Sequence, residues 1–147
     1  MTSLFDPLTL RDLTIPNRIF LPPMCQYMCE ARDGVPTNWH LVHYGARATG
    51  GFGLVIAEAT AVVPEGRISP EDTGLWNDAQ RDAWHPIVEF AHSHGAAIGV
   101  QLAHAGRKAS VYRDHPGPRG SVPVSDGGWQ TVAPSPIAFP GLAEPVE

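Results

Sequence analysis

The chain has 147 residues, 43% of them hydrophobic and 17% charged, with a formal net charge of −5. That balance suits one packed globular domain and argues against extensive disorder. Scattered Asp and Glu, with Arg107–Lys108 as the one adjacent basic pair, leave no nucleic-acid footprint, and the apolar stretch from Phe52 to Val63, interrupted by Glu58, is too short and too polar to span a bilayer. The opening residues Met1, Thr2 and Ser3 lack a basic region, and Asp6 sits where a signal peptide needs an apolar core, so a cytoplasmic setting is expected. Cys25 and Cys29 are too few for a disulfide framework, and zinc would need two further ligands. Reduced thiols and no metal site are expected.

Leu4–Leu10 and Leu13–Pro16 are short apolar runs split by Arg11 and Asp12, which predicts a hairpin or cap over residues 1–17. Arg18–Leu21 reads as a first strand, stopped by Pro22 and Pro23, which cannot donate ladder hydrogen bonds. Thr37 is a candidate N-cap. Trp39, Val42, Ala46 and Thr49 then recur at helical spacing as far as Gly50 and Gly51. Phe52–Ala57 is a continuous apolar run of the kind found in a parallel strand buried on both faces.

Asn77 followed by Gln80 predicts a capping box, and Trp84, Ile87, Val88 and Ala91 form an apolar stripe ending at Gly95. Pro86 should kink this second helix, unless its regular part starts near that residue. Ala96–Leu102 predicts a third strand. Strands and helices thus alternate over residues 18–111, which implies a parallel sheet. From Tyr112 onward prolines and glycines break every period, so 112–147 reads as a Pro/Gly-rich loop, long for a compact domain.

In parallel βα folds ligands gather at the carboxyl ends of the strands. Those ends carry Pro22, Pro23, Met24, Cys25, Gln26 and Tyr27 after strand one. Strand two contributes Glu58, Ala59 and Thr60, and strand three Gln101, His104, Arg107 and Lys108. Cys25 reads either as a buried free thiol or as a hydrogen-bonding group. Tyr27 offers a phenolic donor or simple loop packing, Ala59 gives room or tight packing, and the Gln101 amide supplies both a donor and an acceptor. Lys108, the only lysine, reads equally as a solvated loop residue. His40 and His43 fall on the first helix and are expected at its surface or in an oligomer contact. His92 and His94 belong to the end of the second.

Pro23-Met24-Cys25-Gln26-Tyr27, Glu58-Ala59-Thr60-Ala61-Val62 and the run Gly99 to Lys108 resemble the Old Yellow Enzyme family in order and spacing. The likeness is strongest to its YqjM-type NADPH dehydrogenases and xenobiotic reductases. The resemblance implies an α/β fold, the N-terminal portion of a (β/α)8 TIM barrel with about three βα units after the hairpin. The single incomplete domain is 1–147, since a whole barrel takes about 250 residues.

It also implies bound FMN, with NADPH or NADH as hydride donor and a small-molecule activated alkene as acceptor. Pro22, Pro23, Met24, Cys25, Ala59 and Gln101 would bind the cofactor, Cys25 would tune the flavin, and Tyr27 would touch substrate. The family's carbonyl-binding His pair, or His and Asn, and its FMN-phosphate site would lie beyond residue 147, so the chain alone is expected to be inactive. A homo-oligomer is expected at full length, with no nucleic-acid or membrane partner. Two other readings remain: a noncatalytic barrel fragment needing a partner chain, and the N-terminus of a dienoyl-CoA reductase-like flavoenzyme.

Overall fold

A computed structural model describes residues 1–113 and 117–147. Arg11 and Asp12 form the two-residue turn of an antiparallel hairpin between β1 (Leu8–Leu10) and β2 (Leu13–Ile15), with Leu8 opposite Ile15 and Leu10 opposite Leu13. Arg11 takes a left-handed φ of 53°, as the right-handed twist of a short hairpin demands.

The main sheet is parallel, in the order β3 (Phe20–Leu21), β4 (Leu54–Ala61) and β5 (Ala97–Ala103). β3 is shorter than the predicted Arg18–Leu21. The Arg18 amide donates to the Leu4 carbonyl at 2.9 Å and the Ile19 amide to the Asn17 side chain at 3.0 Å, which takes both out of the ladder. β4 is the central strand and is buried nearly throughout, as its apolar run requires. It continues past Ala57 to Ala61, with a bulge between Ala57 and Ala59 that leaves Glu58 without a partner on β5. β5 forms one side of the sheet, where Val100 and Leu102 are exposed.

Two helices cover one sheet face. α1 (Asn38–Thr49) begins at Thr37, whose hydroxyl accepts the Trp39 amide at 3.3 Å, while the Thr37 amide donates to His40 Nδ1 at 2.8 Å. α2 (Asp78–Ser93) begins with the reciprocal Asn77–Gln80 box, at 3.1 and 3.3 Å. It runs unbroken through Pro86. The proline and Asp82, whose carbonyl loses its usual donor, both sit on the exposed side, where water can replace the missing bond. Leu21, Val55 and Ala57 of the sheet pack with Tyr44, Trp84 and Ile87 of the helices. Gly45 lets the helices approach closely, since a Cβ there would stand 2.9 Å from the Phe90 ring.

Beyond β5 the described residues form short turns and isolated bridges, yet the segment is fastened. The Val122 amide donates to the Ser110 carbonyl at 2.7 Å, Trp129 Nε1 to the Glu65 carbonyl at 2.9 Å, and Arg32 Nη1 to the Asp126 carbonyl at 2.8 Å. Among the described residues no helix is long and apolar enough to cross a membrane.

Candidate flavin-site end of the sheet

Because β3, β4 and β5 are parallel, the residues at and beyond their carboxyl ends converge on one end of the sheet. The turn leaving β3 is tied to β4 through Glu58. The Gln26 amide donates to Glu58 Oε2 at 2.7 Å, and the Tyr44 hydroxyl donates to Oε1 at 2.8 Å. In return the Glu58 amide donates to the Tyr44 oxygen at 3.0 Å. Glu58 is fully buried, so these bonds offset the desolvation of its carboxylate. They also explain why a polar residue that reads as the end of a strand lies inside one.

The bulge has a second effect. Ala57 packs in the helix-side core and Glu58 also turns to α1, so the alternation of faces resumes one residue late. Ala59 therefore pairs with Gln101 in the β4–β5 register. The Ala59 amide and the Tyr27 hydroxyl both hydrogen-bond the Cys25 thiol. Cys25, Tyr27, Ala59 and Gln101 are thus brought together at one end of the sheet. Pro22 and Met24 are exposed beside them and Pro23 is half-buried.

Burial pushes the Cys25 thiol up to about 11, with Asp72 and Glu58 adding like-charge repulsion against the opposing pull of the Ala59 and Tyr27 hydrogen bonds. Burial likewise pushes Cys29 up to about 12. Neither is a thiolate near neutral pH, where Cys25 presents a neutral hydrogen-bonding group. Tyr27 sits at a φ of 55°, a left-handed conformation that a bulky residue rarely adopts. Its carbonyl accepts from Arg113 Nη1 at 3.2 Å, and the same nitrogen pairs with Glu30 at 2.6 Å. Gln26 does not open into the site: its side chain bridges the Met24 carbonyl at 2.9 Å and Trp39 Nε1 at 3.2 Å.

His40 corrects the expectation of a helix-surface residue. It is fully buried, its Nδ1 accepts the Thr37 amide, and its Nε2 lies 3.4 Å from Glu58 Oε1 without hydrogen-bond alignment. Its ring also stands edge-on to Trp84 at 6.2 Å. Sequence reasoning missed His40 and Tyr44 as partners of the site. The available signal was the Thr37-x-x-His40 spacing, a capping-box variant that turns the imidazole inward. Arg107 and Lys108 point to the C-terminal segment: Arg107 donates to the Ile137 carbonyl at 3.2 Å and Lys108 Nζ stands 4.6 Å from the Phe139 ring centroid.

The chain as a whole is similar to known proteins. A profile described as the NADH:flavin oxidoreductase / NADH oxidase family matches residues 3–136. An NADPH dehydrogenase of Geobacillus thermodenitrificans is 54% identical over 110 residues, 75% of this chain and 32% of that protein. Among solved structures, the old yellow enzyme homologue of Zymomonas mobilis is 38% identical with a TM-score of 0.78, covering 98% of this chain and 36% of the other. Morphinone reductase in complex with tetrahydroNAD is 34% identical with a TM-score of 0.74, covering 93% and 34%. The chain spans about a third of the length of these relatives. By its motifs, its parallel sheet and these likenesses alike, the chain belongs to the NADH:flavin oxidoreductase / NADH oxidase family, among its Old Yellow Enzymes.

Proposed function

We propose that this chain forms the first three strands and two helices of a (β/α)8 barrel that binds FMN and passes hydride from NADPH or NADH to an activated alkene. The observation that carries the reading is the convergence of Cys25, Ala59 and Gln101, from three different strand ends, on one end of the sheet. The donor set fits a flat, heteroatom-edged ring. Ala59 leaves space, Met24 offers soft apolar contact, Gln101 exposes an amide with both donor and acceptor, and Cys25 presents an uncharged thiol.

FMN, when bound, supplies the reversible hydride chemistry. The residues of this chain orient and shield it. The backbone from Pro22 to Cys25, the Gln101 amide and the Cys25 thiol would hold the cofactor, the thiol offering a hydrogen bond without placing charge there. Tyr27, whose hydroxyl reaches the Cys25 thiol, would contact the alkene substrate. On this reading the groups that grip the substrate carbonyl and the FMN phosphate would lie outside the third of the relatives' length that this chain spans. The 147 residues by themselves therefore do not turn over.

The test is to purify both this chain and a longer protein carrying it, then record visible flavin absorbance and NADPH-driven reduction of cyclohexenone. The longer protein should carry flavin and reduce the alkene, and the short chain should do neither. A colourless longer protein would sink the flavin reading, and turnover by the short chain would sink the division of the site. A second reading, a fragment completed by a partner chain, draws support from the exposed Val100 and Leu102 on β5. A monodisperse monomer on sizing would count against it.

A further inference from the structure

We propose that Glu58 is the positioning residue of this site: its buried carboxylate sets where the Cys25–Tyr27 turn stands against Ala59 and Gln101. This deepens the flavin-site reading and rests on it. Glu58 itself touches neither the thiol nor the open end of the sheet. It acts through Gln26, whose amide it holds at 2.7 Å, between the thiol of Cys25 and the left-handed backbone of Tyr27.

Three features single out Glu58 rather than the turn in general. First, it is the unpaired residue of the β4 bulge, so one residue both delivers Ala59 to Gln101 and holds the opposite turn. Second, both groups that hydrogen-bond its carboxylate are donors. The Gln26 amide takes Oε2 and the Tyr44 hydroxyl takes Oε1. His40 Nδ1 already accepts the Thr37 amide, which assigns the ring proton to Nε2, the nitrogen 3.4 Å from Oε1. A carboxylate, which only accepts, suits that surround, whereas an amide would set its NH2 against one of the donors. Third, a buried charge is costly unless fully satisfied, and here the satisfying bonds run to α1 and to the turn after β3. Glu58 thereby transmits the rigidity of the helix layer to the site.

The experiment uses the longer protein carrying this chain, with and without FMN, and reads iodoacetamide modification of Cys25 by peptide mass across a pH series. Three variants are compared. Glu58→Asp keeps the charge and loses the reach, Glu58→Gln keeps the reach and loses the charge, and Ile87→Val loosens the same core elsewhere. Loss of a charge-assisted bond frees the turn, so E58D should raise the Cys25 modification rate about tenfold and weaken FMN binding comparably.

E58Q should have a smaller effect on FMN affinity and should move the modification profile to lower pH. One of the two carboxylates repelling the thiolate is then gone, while Asp72 and the Tyr27 hydroxyl stay in place. I87V should shift only thermal stability. An E58D protein indistinguishable from I87V in thiol rate and FMN affinity overturns the proposal. Should E58D fail to fold, an E58Q profile superimposed on wild type overturns it instead. The thiol measurement needs no flavin, so a wild-type protein that binds no FMN would defeat the functional reading while the role of Glu58 in holding the turn is still decided.

Discussion

The Tyr44 hydroxyl donates to the Glu58 carboxylate at 2.8 Å and accepts the Glu58 amide at 3.0 Å, so a single phenol from α1 closes both ends of the bulged residue in β4. Burial first, and then the Glu58 charge, pushes its ionisation far upward, so the hydroxyl keeps its proton and its donor role at any working pH. Tyr44→Phe should strand a buried amide and a carboxylate oxygen together. The expected loss is about 2–4 kcal/mol, read as a lower urea midpoint with unchanged slope. A loss within about 0.5 kcal/mol, the range of an ordinary surface change, would mean that the bulge is held by other contacts.

Asp72 should make stability fall as pH rises. It is 1% exposed, and burial lifts its carboxyl from 3.8 to about 6 against the opposing hydrogen bonds of the Ser69 hydroxyl and the Ile68 amide. Between those values the folded chain holds the proton more tightly than the unfolded one. The contribution is therefore fully present below pH 3.8 and is lost by the time the pH has passed about 6. The loss is of order 2–3 kcal/mol. Asp72→Asn should flatten that part of a stability-versus-pH curve from chemical denaturation. An unaltered slope would remove Asp72 as its source.

Arg67 fastens the C-terminal segment to the loop after β4. Its guanidinium stands 5.4 Å from the Trp76 ring centroid and 5.0 Å from that of Trp129. It also donates to the carbonyls of Pro64, Arg32 and Pro70 at 2.7 to 2.9 Å. Lysine keeps the charge but neither the planar fork nor the stacking. Arg67→Lys should cost about 2–3 kcal/mol and speed amide exchange in residues 117–147 more than in α1. Equal changes in both regions would argue against a local clasp.

The Tyr27 hydroxyl supports the Cys25 thiolate by hydrogen bonding. Tyr27→Phe should raise the thiol further and slow its alkylation about two- to fivefold at pH 9. A faster reaction would mean that the phenol shields Cys25 more than it stabilises the anion. Comparing flavin-bound and flavin-free protein separates that effect from cofactor protection.

What was legible in the sequence was whatever depends on neighbours a few residues away. Thr37 and the Asn77–Gln80 pair start the two helices because a cap bonds amides within three positions. Phe52–Ala57 reads as a buried strand because its composition alone excludes water, and the strand-end motifs could be placed on one end of a sheet before any pairing was known. The tertiary structure decided the rest. The reach of β4 to Ala61 and the bulge at Glu58 depend on partners up to 42 residues away in sequence, which no local periodicity encodes. The pattern around Glu58 marks a polar interruption in an apolar run, and only the hydroxyl of Tyr44 and the amide of Gln26, arriving from two other elements, make burial of that carboxylate less costly than its exposure.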